Sequence, residues 1–225
     1  MQVWHKNRFA DRAEAGRALA ERVAAHLGPA ASDGRPLVVA LPRGGVPVAA
    51  PVATAIGGDL DLLVVRKIAA PGRPEFGVGA LAADGDPIFD HDTLDQLGLI
   101  EDDLAETVRR ERAEARRRLE RYRPGRPPLA VRDRVVVVVD DGLATGVTAR
   151  AALRRLRADG PRRLILAAPV CSTAAQDAMA AEADAVICLL APARFTAVGR
   201  WYEDFPQLSD RDVELVMAAM PAGPG

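Results

Sequence analysis

A run of five consecutive valines, Val135–Val139, most constrains what this 225-residue chain can fold into. Uniformly apolar, β-branched side chains indicate a strand that is covered on both faces, as in a parallel sheet. Asp140 and Asp141 follow at the carboxyl end of this strand, where open α/β sheets bind their ligands. The sequence therefore predicts a parallel α/β fold with a ligand site at the acidic pair.

The residues after the acidic pair predict a phosphate site. Small and hydroxyl-bearing residues open a predicted helix over 146–158, and the first N–H groups of a helix have no partner within it. Two carboxylates would normally repel a phosphate ligand. Their presence is explained if they accept hydrogen bonds from vicinal hydroxyls of the ligand and lie near a Mg²⁺ ion. We therefore predict a sugar phosphate ligand, with its diol at Asp140 and Asp141, which are also the candidate Mg²⁺ ligands, directly or through water. The candidate phosphate-binding residues are Ala144, Thr145, Gly146, Val147 and Thr148.

Residues 137–148 resemble the phosphoribosyl diphosphate (PRPP) signature of the type I phosphoribosyltransferases. That signature is an apolar strand, two acids, two mostly apolar residues, a small residue, Thr or Ser, Gly, any residue, and Thr or Ser. Gly142 is the one departure, because the family usually has Ile, Val or Leu there. We expect it to loosen the turn without removing a ligand contact. A solvated acidic turn between a strand and a helix is the alternative interpretation.

Two further turns fit this resemblance. A predicted strand over 37–41 precedes Arg43, Gly44 and Gly45, and adjacent glycines let the backbone approach a ligand closely. The resemblance implies that this turn binds diphosphate and that a strained, cis peptide bond precedes Arg43. Lys67 follows a predicted strand over 60–66 and is one of two lysines among 30 basic residues, which indicates that a compact cation is required there. Members of the family often have a basic residue at this position that contacts the diphosphate. The alternative is that Lys67 is a surface lysine present by chance.

The order of predicted elements indicates an α/β fold with a doubly wound, mainly parallel sheet flanked by helices, like that of the type I phosphoribosyltransferases. The predicted helices cover 10–27, 46–56, 101–122, 146–158, 173–181 and 210–220, and the other predicted strands cover 134–139, 163–168 and 185–190. We interpret residues 1–225 as a single domain, with a flexible lid and inserted helix over 68–125 and a C-terminal hood over 191–225.

The resemblance places a catalytic lid over residues 68–92, where short strands are predicted at 78–82 and 87–89. Such a lid closes over the sugar and excludes water. Glu75 is the candidate for proton transfer or Mg²⁺ contact in this segment, and a solvated hairpin is the alternative. In the hood, aromatic side chains predict a stacking surface for a planar base. These aromatic residues are Phe195, Trp201, Tyr202 and Phe205. For Trp201 and Phe205, the alternative is a small aromatic core beneath a C-terminal helix over 210–220.

The composition excludes several partners. A net charge of −1 gives no general attraction to nucleic acid or to an anionic membrane. The arginine-rich helix over 101–122 combines an apolar stripe with Glu106–Arg110 and Glu114–Arg118 pairs, so we predict a docked helix with a salt-bridged face.

No apolar run reaches the length of a membrane span, no signal-peptide core is evident, and two cysteines form no disulfide framework. The prediction is a cytoplasmic protein.

The resemblance implies an enzyme of nucleotide metabolism, a phosphoribosyltransferase that uses Mg²⁺ and PRPP. It would transfer the 5-phosphoribosyl group to an unidentified, nucleobase-like acceptor and release diphosphate. Hypoxanthine-guanine enzymes have an Asp where this chain has Ala144, which argues against a simple 6-oxopurine salvage enzyme. A PRPP- or nucleotide-binding regulator of the same fold without catalytic activity is the alternative. The expected partners are PRPP and a small-molecule acceptor, and a homodimer is left open.

Overall fold

The structure, a computed structural model, describes residues 8–28 and 34–220, without the side chains of Pro74 and Glu75. Strands and helices alternate along most of this part of the chain. The strands are β1 (Leu37–Ala40), β2 (Asp59–Leu62), β3 (Val65–Ala70), β4 (Arg73–Ala82), β5 (Ile88–Phe89), β6 (Val135–Val139), β7 (Arg163–Val170) and β8 (Ala185–Leu190). The α-helices are α1 (Arg12–Leu27), α2 (Gly45–Ala55), α3 (His91–Leu97), α4 (Ala105–Tyr122), α5 (Val147–Ala158), α6 (Thr173–Met179) and α7 (Asp210–Ala219).

Five parallel strands form the central sheet in the order β2-β1-β6-β7-β8. The valine strand β6 lies in its middle, and all five valines are buried. Because successive side chains of a strand point to opposite faces, Val135, Val137 and Val139 join the core beneath α1, α2 and α7. Val136 and Val138 join the second core, beneath α5 and α6. The doubly wound, mainly parallel α/β fold predicted from the sequence is confirmed.

A second sheet departs from the predicted alternation. The predicted single strand over 60–66 is wrong: β2 ends at Leu62, and Val65 begins β3 in an antiparallel sheet of order β3-β4-β5. The predicted short strand over 78–82 lies within β4, and the one predicted over 87–89 starts one residue before β5; both belong to this sheet. Lys67 consequently lies inside a strand of the antiparallel sheet, and not at the end of a parallel strand.

Helix α3 was not predicted, although standard signals mark both of its ends. The Asp90 carboxylate accepts a hydrogen bond from the Thr93 N–H at 3.3 Å, and Gly98 ends the helix in the left-handed conformation. Helix α4 docks through buried residues as predicted, and Glu114 pairs with Arg118. Glu106 pairs with Arg109 and not with the predicted Arg110. Within the described residues, no helix has both the length and the apolar character needed to span a membrane.

The start of α1 is joined to a segment near the other end of the described chain, residues 201–206, which we call the C-terminal strap. Phe9 forms a parallel bridge with Tyr202, in which the Phe9 N–H donates to the Trp201 carbonyl at 2.8 Å and the Glu203 N–H donates to the Phe9 carbonyl at 2.8 Å. The Phe9 and Tyr202 rings pack at 5.6 Å between centroids. This contact places the strap beside the carboxyl edge of the parallel sheet.

Candidate ligand-binding site

The acidic pair lies at the carboxyl end of β6, beside the turn that follows β1. Ala40 pairs with Val139, so the chain leaves these two neighbouring strands at the same edge of the sheet. The Asp140 N–H donates to the Ala167 carbonyl of β7 at 3.3 Å, and the Asp141 N–H donates to Asp140 Oδ1 at 2.8 Å. The neighbouring strands β1 and β7 thus fix the backbone from which the acidic pair projects.

The turn after β1 is shaped to accept the acidic pair. The peptide bond between Pro42 and Arg43 is cis, as the resemblance implied. A Cβ atom built on Gly44 would lie 1.9 Å from Asp141 Oδ2, and one on Gly45 would lie 2.5 Å from the Val139 carbonyl oxygen. Both distances are far below van der Waals contact, so any larger residue would displace this turn from the carboxylate. Glycine at these positions has a direct structural reason, the close approach of β6 and its acidic pair.

Arg12, which the sequence analysis did not single out, is the counter-charge of Asp141. Arg12 Nε donates to Asp141 Oδ2 at 2.8 Å, and Arg12 Nη1 donates to the Pro206 carbonyl of the C-terminal strap at 3.0 Å. The guanidinium carbon lies 3.7 Å from the centroid of the Phe205 ring, and Arg12 is 8% exposed. The Tyr202 hydroxyl donates to the Asp141 backbone carbonyl at 2.6 Å. No local pattern could have found Arg12, because it stands 129 positions before Asp141.

The two carboxyl groups differ in their electrostatic surroundings. Burial raises the pKa of Asp140 well above its ordinary value, and the neighbouring Asp141 carboxylate raises it further. Burial also raises the pKa of Asp141, but the hydrogen bond and the charge of Arg12 act in the opposite direction. The site therefore holds two closely spaced acids of which one carries a fixed cationic partner.

Arg43 is held at the rim of the site by helices α4 and α7. Its Nη1 lies 3.6 Å from Asp210 Oδ1, and Asp210 also accepts a hydrogen bond from the Tyr122 hydroxyl. Burial and this hydrogen bond raise the pKa of Tyr122 to about 12. The Arg43 side chain is 29% exposed, so its guanidinium is both oriented by a carboxylate and accessible to an anion.

The predicted phosphate loop leads directly into α5. Gly146 adopts a left-handed conformation with φ of 75°, and no side chain caps the helix start. Its first N–H groups are therefore available to an external acceptor. The Ser172 hydroxyl donates to the Ala144 carbonyl at 2.7 Å, and the Leu143 N–H donates to the Val170 carbonyl at 2.9 Å. The end of β7 and the start of α6 thereby hold this loop in place.

Gly142 has a role different from the one expected. We expected it only to loosen the turn, but a Cβ at this position would lie 2.5 Å from Val198 Cγ1 and 3.0 Å from Val170 Cγ1. Gly142 therefore makes room for the segment that leads into the C-terminal strap. The departure from the family pattern is explained by packing.

Two aromatic side chains of the hood are used in packing. Tyr202 is 1% exposed and packs on Phe205 with ring centroids 4.8 Å apart, so Tyr202 does not belong to the predicted stacking surface. Phe205 contacts the Arg12 guanidinium. These contacts fit the small aromatic core that was the alternative interpretation.

The remaining candidates lie in the antiparallel sheet. Lys67 is exposed on β3, and the aliphatic part of its side chain lies over Gly77: a Cβ on Gly77 would be 2.8 Å from Lys67 Cδ. The Glu75 side chain lies outside the described part of the structure. The structure therefore gathers Arg43, the two glycines, the acidic pair and the phosphate loop at one edge, with Lys67 in the neighbouring sheet.

The donor set at this edge fits a magnesium ion that arrives with its ligand. Among the described residues, no three His, Cys, Asp or Glu side chains are grouped to hold a metal by themselves. Mg²⁺ commonly binds one or two protein carboxylates and completes its shell with water and substrate phosphate oxygens. Asp140 and Asp141 are the carboxylates at this edge that could take that part.

A separate cavity of about 430 Å³ lies between α4, α5 and the segment 128–132. Leu62, Leu119, Arg123, Arg155 and Leu156 contribute to its wall. None of the predicted site residues lines it.

The fold and the carboxyl edge of the sheet define a class: an α/β protein with an acidic pair and an uncapped helix start at the carboxyl ends of its parallel strands. The phosphoribosyl transferase domain model matches residues 10–203, and the chain belongs to this family. Two Mycobacterium tuberculosis proteins, from strains CDC 1551 and H37Rv and each named "putative phosphoribosyl transferase", are 42% identical over 205 residues. The match covers 91% of this chain and 45% of each relative, so the chain spans about half the length of these relatives.

A solved structure has the same fold. The crystal structure of TT1426 from Thermus thermophilus is 43% identical, with a TM-score of 0.80. The similarity covers 96% of this chain and all of TT1426. The type I phosphoribosyltransferase resemblance read from residues 137–148 is thereby confirmed at the level of family and fold.

Proposed function

We propose that the protein is an active phosphoribosyltransferase that binds PRPP with Mg²⁺ at the carboxyl edge of the parallel sheet. One observation carries this proposal: the glycine turn after β1, the acidic pair after β6 and the uncapped start of α5 converge there. These three elements match the three parts of PRPP, which are a diphosphate, a ribose diol and a 5-phosphate. Membership of the family supports the same conclusion.

Each part of the ligand has a chemically suitable partner. The N–H groups and hydroxyls over residues 144–148 bind the 5-phosphate, because a helix start favours a dianion. Asp140 and Asp141 accept hydrogen bonds from the ribose hydroxyls. Arg43 binds the diphosphate as a guanidinium fork, and Lys67 contributes a second cation when the antiparallel hairpin β3–β4 closes over the site.

The reaction exchanges one bond at the ribose C1 for another. The bond from C1 to the diphosphate oxygen breaks, the electron pair leaves with the diphosphate, and a bond forms from C1 to a nitrogen of the acceptor. Arg43 and Lys67 stabilise the charge that develops on the leaving diphosphate, and bound Mg²⁺ supplies further positive charge there. The acidic pair orients the ribose while C1 becomes cation-like. Glu75 takes the proton that the acceptor nitrogen loses.

Titration calorimetry tests the binding step. Mg²⁺·PRPP should bind the wild type and lose at least about tenfold in affinity in the Asp140→Asn/Asp141→Asn variant, since each carboxylate bond to a hydroxyl contributes about 1.5–3 kcal/mol. Asp177→Asn is a matched control, because this exposed aspartate of α6 lies outside the site. No binding by a folded wild type, or equal binding by the double variant, would contradict the proposal.

Diphosphate release tests the catalytic step. The wild type should release diphosphate from PRPP with one member of a panel of pyrimidines, purines and smaller nitrogen heterocycles. The double variant should remain folded and release none. Because Ala144 replaces the acid of the hypoxanthine-guanine enzymes, hypoxanthine and guanine should be poor acceptors. Tight PRPP binding without turnover on any acceptor would instead favour the regulatory protein that was the alternative.

A further inference from the structure

The Arg12 guanidinium is a group at which α1, the acidic pair and the C-terminal strap meet. Its Nε contacts Asp141 Oδ2, its Nη1 contacts the Pro206 carbonyl, and its face covers the Phe205 ring. We propose that Arg12 is a positioning residue, which holds the Asp141 carboxylate in the orientation that accepts hydrogen bonds from the ribose diol. This inference rests on the proposed function, because it takes the diol as the ligand group at Asp141.

The geometry of the contact leaves Asp141 able to bind a ligand. Arg12 engages Oδ2, so that Oδ1 remains outside the ion pair. Gly44 confines the carboxylate on another side, since a Cβ atom there would lie 1.9 Å from Oδ2 and 2.9 Å from Oδ1. A carboxylate fixed at one oxygen presents the other in a defined direction, which is what recognition of a hydroxyl requires.

The charge of Arg12 also suits a polyanionic ligand. Two carboxylates close together oppose the approach of a sugar that carries phosphate and diphosphate groups. Arg12 is nearly buried and offsets one of these negative charges within the protein. Because a guanidinium is a planar fork with several donors, it can bind Asp141 and the strap together, which a lysine ammonium on a flexible chain cannot reproduce.

The chain offers a matched control in Arg8. Arg8 Nη2 donates to the Tyr202 carbonyl at 2.5 Å, so Arg8 also fastens the C-terminal strap. This hydrogen bond reaches the strap and not the acidic pair. If Arg12 acted only by holding the strap, replacing Arg8 should have the same effect as replacing Arg12. If Arg12 positions Asp141, replacing Arg8 should not have that effect.

The experiment compares the affinities of ribose 5-phosphate and 2-deoxyribose 5-phosphate, with Mg²⁺, for the full chain. The wild type should prefer the ligand with the complete diol by about tenfold, the effect of one hydrogen bond to a carboxylate. Arg12→Met should abolish most of this preference while retaining phosphate binding, and Arg8→Met should keep the wild-type preference. Arg12→Lys should give an intermediate preference, because it restores the charge without the fork.

The outcomes separate this inference from the proposed function. An unchanged preference in Arg12→Met, or an equal loss in Arg8→Met, would overturn the positioning role. A wild type that binds the two sugars equally would overturn it as well. If Arg12→Met does not fold, a full wild-type preference in Arg12→Lys would overturn it. A wild type that binds neither PRPP nor ribose 5-phosphate would refute the proposed function itself, and the positioning role with it.

Discussion

The Asp141 carboxylate occupies the space in which any side chain on Gly44 would begin, 1.9 Å from the position of such a Cβ atom. The turn after β1 and the acidic pair after β6 are therefore fitted to each other before any ligand arrives. A substitution at Gly44 should therefore displace the Asp141 carboxylate, and a movement of Asp141 should alter the turn. This relationship gives the first prediction.

Gly44→Ala should weaken PRPP binding and lower stability. The added methyl must displace either the turn or the Asp141 carboxylate, and overpacking of this kind costs about 1–3 kcal/mol. Chemical denaturation and calorimetric titration measure the two effects. Gly85→Ala is the control, because its Cβ would meet Arg155 Cδ, part of a flexible side chain, at 3.0 Å. Equal losses of stability and of PRPP affinity in Gly44→Ala and Gly85→Ala would contradict the prediction.

Gly142→Val, which restores the residue type usual in the family, should destabilise this chain. Its Cβ would lie 2.5 Å from Val198 Cγ1, and the cost should be about 1–3 kcal/mol. Thermal unfolding measures it. The second change Val198→Ala should recover part of the loss in Gly142→Val, while Val198→Ala alone should lower stability. A double variant less stable than Gly142→Val would show that Val198 is not the obstacle.

Arg43→Met should weaken PRPP binding by about tenfold and leave ribose 5-phosphate binding unchanged. Loss of a charge-assisted hydrogen bond to the diphosphate accounts for a change of this size. Ribose 5-phosphate lacks the diphosphate and is the internal control in the same calorimetric series. An equal loss for both ligands would indicate that Arg43 acts on the shape of the turn, and not on the diphosphate.

Glu114→Gln should reduce stability at neutral pH, with a difference that fades in acid. A hydrogen bond from Arg117, supported by Arg118, lowers the pKa of Glu114 from 4.5 to about 2. A carboxyl whose pKa is lower in the folded state stabilises the fold above its ordinary pKa, and this contribution is lost as the pH falls from about 4.5 towards 2. Thermal unfolding between pH 7 and pH 3 measures the difference between the variant and the wild type.

The control for this prediction is Glu120→Gln, on the same helix. Glu120 is exposed, and its carboxylate forms no ion pair or hydrogen bond with the described residues. Its replacement should change stability little at any pH in the series. A pH-independent effect of Glu114→Gln would show that the ion pairs with Arg117 and Arg118 do not stabilise the fold.

The parts of the fold that could be predicted are those with local signals. Val135–Val139 and the residues up to Thr148 form one continuous strand, turn and helix start, so their local structure is predicted by a single segment of sequence. Helix α4 was predictable for the same reason, because its apolar stripe repeats with the helical period. The docking of these elements against each other required the structure.

The parts that could not be predicted depend on contacts between distant residues. Arg12 reaches Asp141 across 129 positions, and nothing in its neighbourhood distinguishes it from the other arginines. The role of Tyr202 was misjudged because an aromatic residue looks alike in sequence whether it stacks on a ligand or packs on Phe9. The antiparallel sheet was only partly foreseen, since β2 and β3 are separated by two apolar residues that resemble a continuous strand.

The pairing of β1 with β6 also bears on how the protein folds. Leu37 pairs with Val136, so about a hundred residues must be looped out before the two strands meet. Closing a loop of this length is entropically costly and slows folding. Because Gly44 and Asp141 come together only when these strands pair, the capacity to bind ligand is absent from any intermediate in which α1, β1 and α2 alone have formed. Binding competence during refolding should therefore emerge only after β1 and β6 have paired, and not with the first helices.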